Sequence, residues 1–318
     1  MNGYLGLDTS NYTTSAAFSE ASTGVVTQQK QLLPVKSGEV GLRQSDAVFH
    51  HVRQLPDMVE ALRREVSGDL IAVAASDRPQ ERDGSYMPCF LVGAGLAREL
   101  GALLRIPVHF FTHQQGHVAA ALYGADKLDL RHDRFLAFHV SGGTTDAILV
   151  RPDNEKVITC EVVASSLDLK AGQLIDRTGH ILGLNFPAGP ALEKLAEGAD
   201  PSRLPPVRPS MDGVNCHLSG VENQCRRMLK DGYSPEEIAL FCLKSVQAAL
   251  FSMTEALLKQ YGNLPLVYAG GVMSNSLLKT ALGDAFGGSF APPALSADNA
   301  AGIATLCRIR EEESGSCR

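Results

Sequence analysis

The chain has 318 residues, 44% of them hydrophobic, and a formal net charge of −6. That length supports two domains with buried cores, and that hydrophobic content excludes a disordered chain. The acidic balance argues against a broad nucleic-acid-binding face, and seven cysteines without a C-x-x-C pair argue against a disulfide framework or a cysteine-type zinc site. No run of 18 or more apolar residues occurs and the first residues do not read as a leader, so a cytoplasmic protein with no membrane span is expected.

In chain order, Tyr4–Leu7, Thr13–Phe18 and Gly24–Gln31 read as a three-stranded meander. Apolar residues at helical spacing predict a helix over Pro56–Val66, followed by a strand at Leu70–Ala75, a helix at Phe90–Leu104 and a strand at Pro107–Phe111. His113 opens a further helix through Tyr123. A second cycle begins at Phe135: a strand to Val140, a glycine turn, strands at Ala147–Val150 and Lys156–Val163, and a helix over Leu167–Leu182 ended by Gly183. Pro235–Tyr261 reads as a long amphipathic helix, Leu266–Tyr268 as a strand, and Ser276–Phe286 and Ser296–Arg310 as helices. Asp200–Pro209 reads as a loop and Glu311–Arg318 as a frayed tail. Two cycles of strands followed by helices predict two related α/β lobes.

Five segments carry residues suited to chemistry. Asp8-Thr9-Ser10 follows the first strand, where a carboxylate and two hydroxyls suit a hydrated cation or a phosphate as well as a plain Asx turn. His113-Gln114-Gln115-Gly116-His117 puts two imidazoles one helical turn apart, a spacing for a shared transition-metal ion and equally for two unrelated surface or core histidines. Ser141-Gly142-Gly143-Thr144 is a turn whose amides can cradle a phosphate, or an ordinary hairpin turn. Ala269-Gly270-Gly271-Val272 through Asn275 and Ser276 is a strand, a double glycine and a capped helix start, a natural anion or nucleotide site. Asp298-Asn299 before the last helix suits a cap or an anionic ligand. The basic clusters Arg63-Arg64 and Arg226-Arg227-Lys230 read as solvated helix faces that could touch phosphates.

Together, these turns resemble the actin and hexokinase (ASKHA) superfamily, a two-lobed α/β fold of duplicated ribonuclease-H-like domains. Within it, the chain resembles the TsaD family of threonylcarbamoyl transferases acting on tRNA, once called glycoproteases. The matching segments, which span nearly the whole chain, are His113-x-x-x-His117, His139-Val-Ser-Gly-Gly143, Leu174-Ile-Asp176-Arg-Thr with Leu182 to Pro190, Leu218-Ser-Gly220, Ala269-Gly-Gly-Val with Asn275, and Asp298-Asn299.

The resemblance implies lobes over 1–118 plus 297–318 and 119–296, with the active cleft between them. His113, His117, His139 and Asp298 would hold one divalent metal ion, iron or zinc. Ser141, Gly142 and Gly143 would contact the phosphate of an adenylate, and Asp176, Gly189, Glu193 and Asn275 its ribose and base. Asp8 would serve catalysis as an orienting group or a weak base. The nucleotide ligand implied is threonylcarbamoyl-adenylate, or ATP or AMP. The acceptor implied is N6 of adenosine 37 of tRNA, and the partners implied are tRNA, a paralogous dimer subunit and an ATPase subunit of the same machinery. The chain also departs from the family pattern: Asn11 stands where a cysteine is usual and Tyr12 and Thr13 where two acids are, Thr144 replaces a histidine, and Glu222 replaces a lysine. Those changes leave open a small-molecule acceptor, or a scaffold role.

Overall fold

The computed structural model describes residues 2–10, 12–34, 42–292, 295 and 300–315. It begins with an antiparallel meander, β1 (Gly3–Thr9), β2 (Thr13–Glu20) and β3 (Val26–Leu32). After helix α1 (Gln44–Glu65), β4 (Leu70–Arg78) joins β1 in parallel, and after α2 (Phe90–Leu104), β5 (Val108–Thr112) joins β4 in parallel. Helix α3 (His113–Gly124) follows β5 directly.

The second sheet repeats this plan. β6 (Phe135–Val140), β7 (Thr145–Asp153) and β8 (Val157–Ser165) form the meander. Then come α4 (Ala171–Ile181), α5 (Gly189–Ala196), a small hairpin of β9 (Ser210–Asp212) and β10 (Asn215–His217), α6 (Ser219–Lys230) and α7 (Pro235–Tyr261). β11 (Leu266–Ala269) adds parallel to β6, α8 (Ser276–Phe286) follows, and β12 (Ser289–Phe290) adds parallel to β11. Helix α9 (Ala300–Gly315) closes the chain. The orders β3-β2-β1-β4-β5 and β8-β7-β6-β11-β12 are the same topology twice, the expected duplication.

The chain divides into two compact units, 1–133 with 151–160 and 294–318, and 134–150 with 161–293. The expected boundary at 118/119 falls inside α3, which runs unbroken to Gly124. Helix α3 stays with the first unit because it packs on α9: a Cβ on Gly302 would lie 1.8 Å from the Gly116 carbonyl oxygen. The tip of the β7–β8 hairpin also belongs to this unit. Glu81 binds the Lys156 ammonium at 2.8 Å and the Cys160 N–H at 2.9 Å.

Each sheet buries both faces. In the first unit, Leu5, Leu7 and Phe18 meet Leu55 and Leu62 of α1 and Ala97 of α2. The other face is stripped to small residues so that α9 can approach: Ala17 meets Ala300, Ala301 and Ala304, and a Cβ on Gly6 would lie 2.3 Å from the Ala304 nitrogen. In the second unit, Leu136, Phe138 and Val140 point into a core built on α4, α6 and α7. Helix α7 is long and apolar enough to cross a bilayer, but its buried run Glu237–Leu243 makes it the central helix of this core.

Several local expectations are corrected. α1 begins at Gln44 rather than Pro56, and Pro56 sits inside it. A proline removes one helical hydrogen bond; the buried His51, Gln54 and Leu55 anchor the helix just before it. Residues 167–170 stay outside α4, because the Asp168 carboxylate accepts the N–H groups of Leu169, Leu218 and Ser219. Residues 311–315 continue α9 instead of fraying, held by Glu311–His109 (2.7 Å), Glu312–Arg308 (2.9 Å) and Glu313–Arg131 (3.2 Å).

Candidate active site

The first group of site residues lies at the C-terminal end of β1 and the start of α3, both in the first unit. Thr112 caps α3 through a capping box, accepting the Gln115 N–H at 3.1 Å while Gln115 Oε1 accepts the Thr112 N–H at 2.6 Å. This fixes the first helical turn. His113 and His117 then project together, with ring centroids 4.7 Å apart and the rings edge-to-face. Phe90 also meets the His113 ring edge-to-face, with centroids 5.7 Å apart.

Asp8 reaches this pair. Its Oδ2 lies 2.9 Å from His113 Nδ1, and its Oδ1 accepts the Ser10 N–H at 3.0 Å. The residue is 1% exposed. Burial alone pushes its carboxyl up, but the charge and hydrogen bond of His113, with the Ser76 and Ser10 side chains, outweigh burial and hold it below the usual carboxylate value. Asp8, expected as an orienting group or a weak base, is thus buried and bonded through both carboxylate oxygens.

The second group lies in the second unit. The Ser141 N–H donates to the Thr144 carbonyl at 2.7 Å, closing the turn, and the Ser141 hydroxyl oxygen accepts the N–H groups of Gly143 and Thr144 at 3.3 and 3.2 Å. Gly142 and Gly143 are exposed, and nothing stands within 4 Å of a Cβ at either. The first turn of α4 packs behind them: Ala171 N–H donates to Thr145 Oγ1 (2.8 Å) and Gly172 N–H to the Ser141 carbonyl (3.1 Å). His139 is buried on β6, opposite the buried Asp146 of β7. Burial pushes the Asp146 carboxyl up, against the pull of Lys170.

The four residues expected to hold ribose and base are linked through their neighbours. Asp176 Oδ1 accepts the N–H of Ala188, next to Gly189, at 2.8 Å. Glu193 Oε1 accepts the N–H of Ser276 at 2.7 Å, and the adjacent Asn275 caps α8 by accepting the Leu278 N–H at 3.1 Å. Gly270, at φ +97°, lies against the end of β6, where a Cβ would stand 2.2 Å from the Val140 carbonyl oxygen. The double glycine therefore holds β11 close to the Ser141 turn.

Asp298 lies outside the described residues, as does Asn11. Among the described residues, no cluster of three or more His, Cys, Asp or Glu side chains forms a metal site. Sequence reasoning missed the role of Asp168 and the bond between Asp8 and His113, which are 105 positions apart. It also left unassigned a cavity of about 440 Å³ lined by Asp176, Arg177, His180, Phe186, Glu222 and Arg226. There Glu222, at the position where a lysine is usual, bonds Arg177 at 3.0 Å and Arg226 at 2.8 Å.

Comparison with known proteins follows the same line. The family model for TsaD, tRNA N6-adenosine threonylcarbamoyltransferase, matches residues 25–305. A tRNA N6-adenosine threonylcarbamoyltransferase of Chromobacterium violaceum is 30% identical over 96% of this chain and 92% of its own length. One of Methanopyrus kandleri is 28% identical, covering 88% and 82%. Among solved structures, component A of the Acidaminococcus fermentans (R)-2-hydroxyglutaryl-CoA dehydratase (TM-score 0.57, 14% identity, covering 99% and 100%) and a ROK hexokinase from Thermus thermophilus (0.52, 15%, covering 99% of each) share the fold. The chain is a member of the TsaD family of tRNA N6-adenosine threonylcarbamoyltransferases, a family of acyltransferase enzymes.

Proposed function

We propose that this protein transfers a threonylcarbamoyl group from threonylcarbamoyl-adenylate to N6 of adenosine 37 of tRNA, with the help of one divalent cation. The match over residues 25–305 supports the reaction class. The observation that carries the metal dependence is the pairing of His113 with His117, two imidazoles one turn apart on a capped helix start, with a buried carboxylate on one of them. Imidazole donors suit iron or zinc, so the residues present fit such an ion. His113 and His117 would hold it, with His139 and Asp298 as the further ligands implied by the family pattern. When bound, the cation supplies Lewis acidity toward the carbonyl and phosphate oxygens.

The remaining work falls to the chain's own groups. The amides of the Ser141–Gly143 turn bind the adenylate phosphate and stabilise it as AMP leaves. The Ser141 hydroxyl holds the Gly143 amide, and that of the adjoining Thr144, through bonds of 3.3 and 3.2 Å, long enough to be exchanged for a phosphate oxygen. Asp176 and Glu193 each use one carboxylate oxygen in structure and have a second for ribose hydroxyls, and Asn275 keeps its amide NH₂ as a donor. The N6 amine of the acceptor attacks the carbamoyl carbon, the carbon–oxygen bond to the phosphate breaks, AMP leaves with the bonding pair, and the amine gives up one proton to solvent. Exposed apolar side chains on α1 (Phe49, Val52) and α2 (Leu91, Leu103, Leu104) support the reading that a paralogous subunit binds there.

The test is AMP release from threonylcarbamoyl-adenylate with tRNA or with small amines as acceptor. Release dependent on tRNA, and lost in His113→Ala and His117→Ala, supports the reading. Release with small amines alone moves the assignment to a small-molecule transferase, and no release with either supports a scaffold.

A further inference from the structure

Asp8 combines features that a general base does not need. It is buried, and both carboxylate oxygens are engaged, Oδ1 by the Ser10 N–H and Oδ2 by His113 Nδ1. An ionised carboxylate only accepts hydrogen bonds, so the hydrogen in the second bond belongs to the ring. In a neutral imidazole, a hydrogen on Nδ1 leaves the lone pair on Nε2. We propose that Asp8 is a positioning residue, which fixes the tautomer and orientation of His113 so that Nε2 is its ligand nitrogen. This rests on the reading of His113 as a metal ligand.

The supports of both partners suit such a role. On the β1 side, Thr9 Oγ1 donates to the Cys89 carbonyl (2.9 Å) and accepts the Gly93 N–H (3.1 Å), tying the strand end to α2. The Ser10 carbonyl lies 2.7 Å from Nε2 of the buried His51 on α1. On the α3 side, the capping box holds the helix start and Phe90 backs the His113 ring. The carboxylate and the imidazole thus meet between elements that are anchored independently, which leaves the ring little freedom to rotate. A hydrogen bond donated by the distal N–H of a ligand histidine to a carboxylate raises the ring's basicity as well as orienting it.

The experiment reads the proton directly. In metal-stripped protein labelled with ¹⁵N-histidine, two-bond ¹H–¹⁵N correlations report which His113 nitrogen carries the hydrogen. Wild type is expected to show hydrogen on Nδ1, and Asp8→Asn to show a mixture or hydrogen on Nε2. Cobalt(II) affinity of Asp8→Asn is expected to fall by about 10- to 100-fold, with an altered visible spectrum. Asp8→Glu, which retains the charge with a longer reach, should restore the Nδ1 hydrogen in part.

Hydrogen on Nε2 in wild type overturns the proposal without any variant having to fold. So does an Asp8→Asn protein with unchanged tautomer and cobalt affinity. A locked Nδ1 hydrogen in a wild type that binds no cobalt supports the role of Asp8 toward the ring and instead rejects His113 as a metal ligand.

Discussion

A Cβ placed on Gly172 would stand 2.6 Å from the amide nitrogen of Gly142. The first turn of α4 therefore sits directly behind the turn proposed to bind phosphate, and only glycine permits the approach. Gly172→Ala should shift the turn or the helix and destabilise the protein by about 1–3 kcal/mol in denaturant unfolding. Gly143→Ala is the contrasting variant, with open space at its Cβ. Its stability should stay within about 0.5 kcal/mol of wild type, while AMP affinity, read by calorimetry, falls because a methyl group now stands where the phosphate approaches.

Asp168 joins the segment before α4 to the start of α6 through the N–H groups of Leu169, Leu218 and Ser219 and the Ser219 hydroxyl. Burial pushes its carboxyl up, but these donors outweigh burial and bring it down to about 2. A depressed carboxyl stabilises the fold above its unfolded value and loses that contribution as pH falls through the folded one. Asp168→Asn should cost about 1–3 kcal/mol at pH 7. The gap between wild type and variant should close as pH drops from about 4 toward 2, as read by urea unfolding at stepped pH.

His51 behaves in the opposite chemical sense. Burial pushes its imidazole down, against the Ser10 carbonyl bond and the Asp8 charge. The folded state prefers the neutral ring, so the unfolded chain takes up the proton first as pH falls below about 6.5. Wild-type stability should therefore decline as pH falls from about 7 to 5, and His51→Gln should flatten that part of the profile. An equal slope in the variant would show that other groups carry it.

Glu222 holds the guanidinium groups of Arg177 and Arg226 beside Phe186, which is 83% exposed. These exposed ion pairs contribute little to stability, so Glu222→Gln should change it by less than about 1 kcal/mol. The substitution removes one negative charge from a surface with two arginines and an exposed ring. If tRNA meets this surface, binding should tighten and its salt dependence steepen by about one unit of slope. Unchanged binding across a salt series would place the RNA elsewhere.

Much of this architecture was legible because it rests on local rules. Ser234, Pro235 and Gly262 mark both ends of α7, and the four-residue spacing of His113 and His117 alone brings their rings onto one face. The missing parts depend on distant partners. α6 buries only Cys225 and Met228 in an otherwise polar sequence, and α5 is only eight residues long. Asp168 looked like part of a helix because its competing acceptor role depends on residues 50 positions away. No pattern within the first turn shows that Asp8 faces His113, since the parallel strand order of β1, β4 and β5 creates that neighbourhood.

The most direct measurement is nucleoside mass analysis of tRNA from a strain in which this gene is the sole family member. The account predicts threonylcarbamoyladenosine with the native gene and its loss when His113 and His117 are both replaced by alanine. A strain lacking the modified nucleoside while holding folded native protein would contradict it.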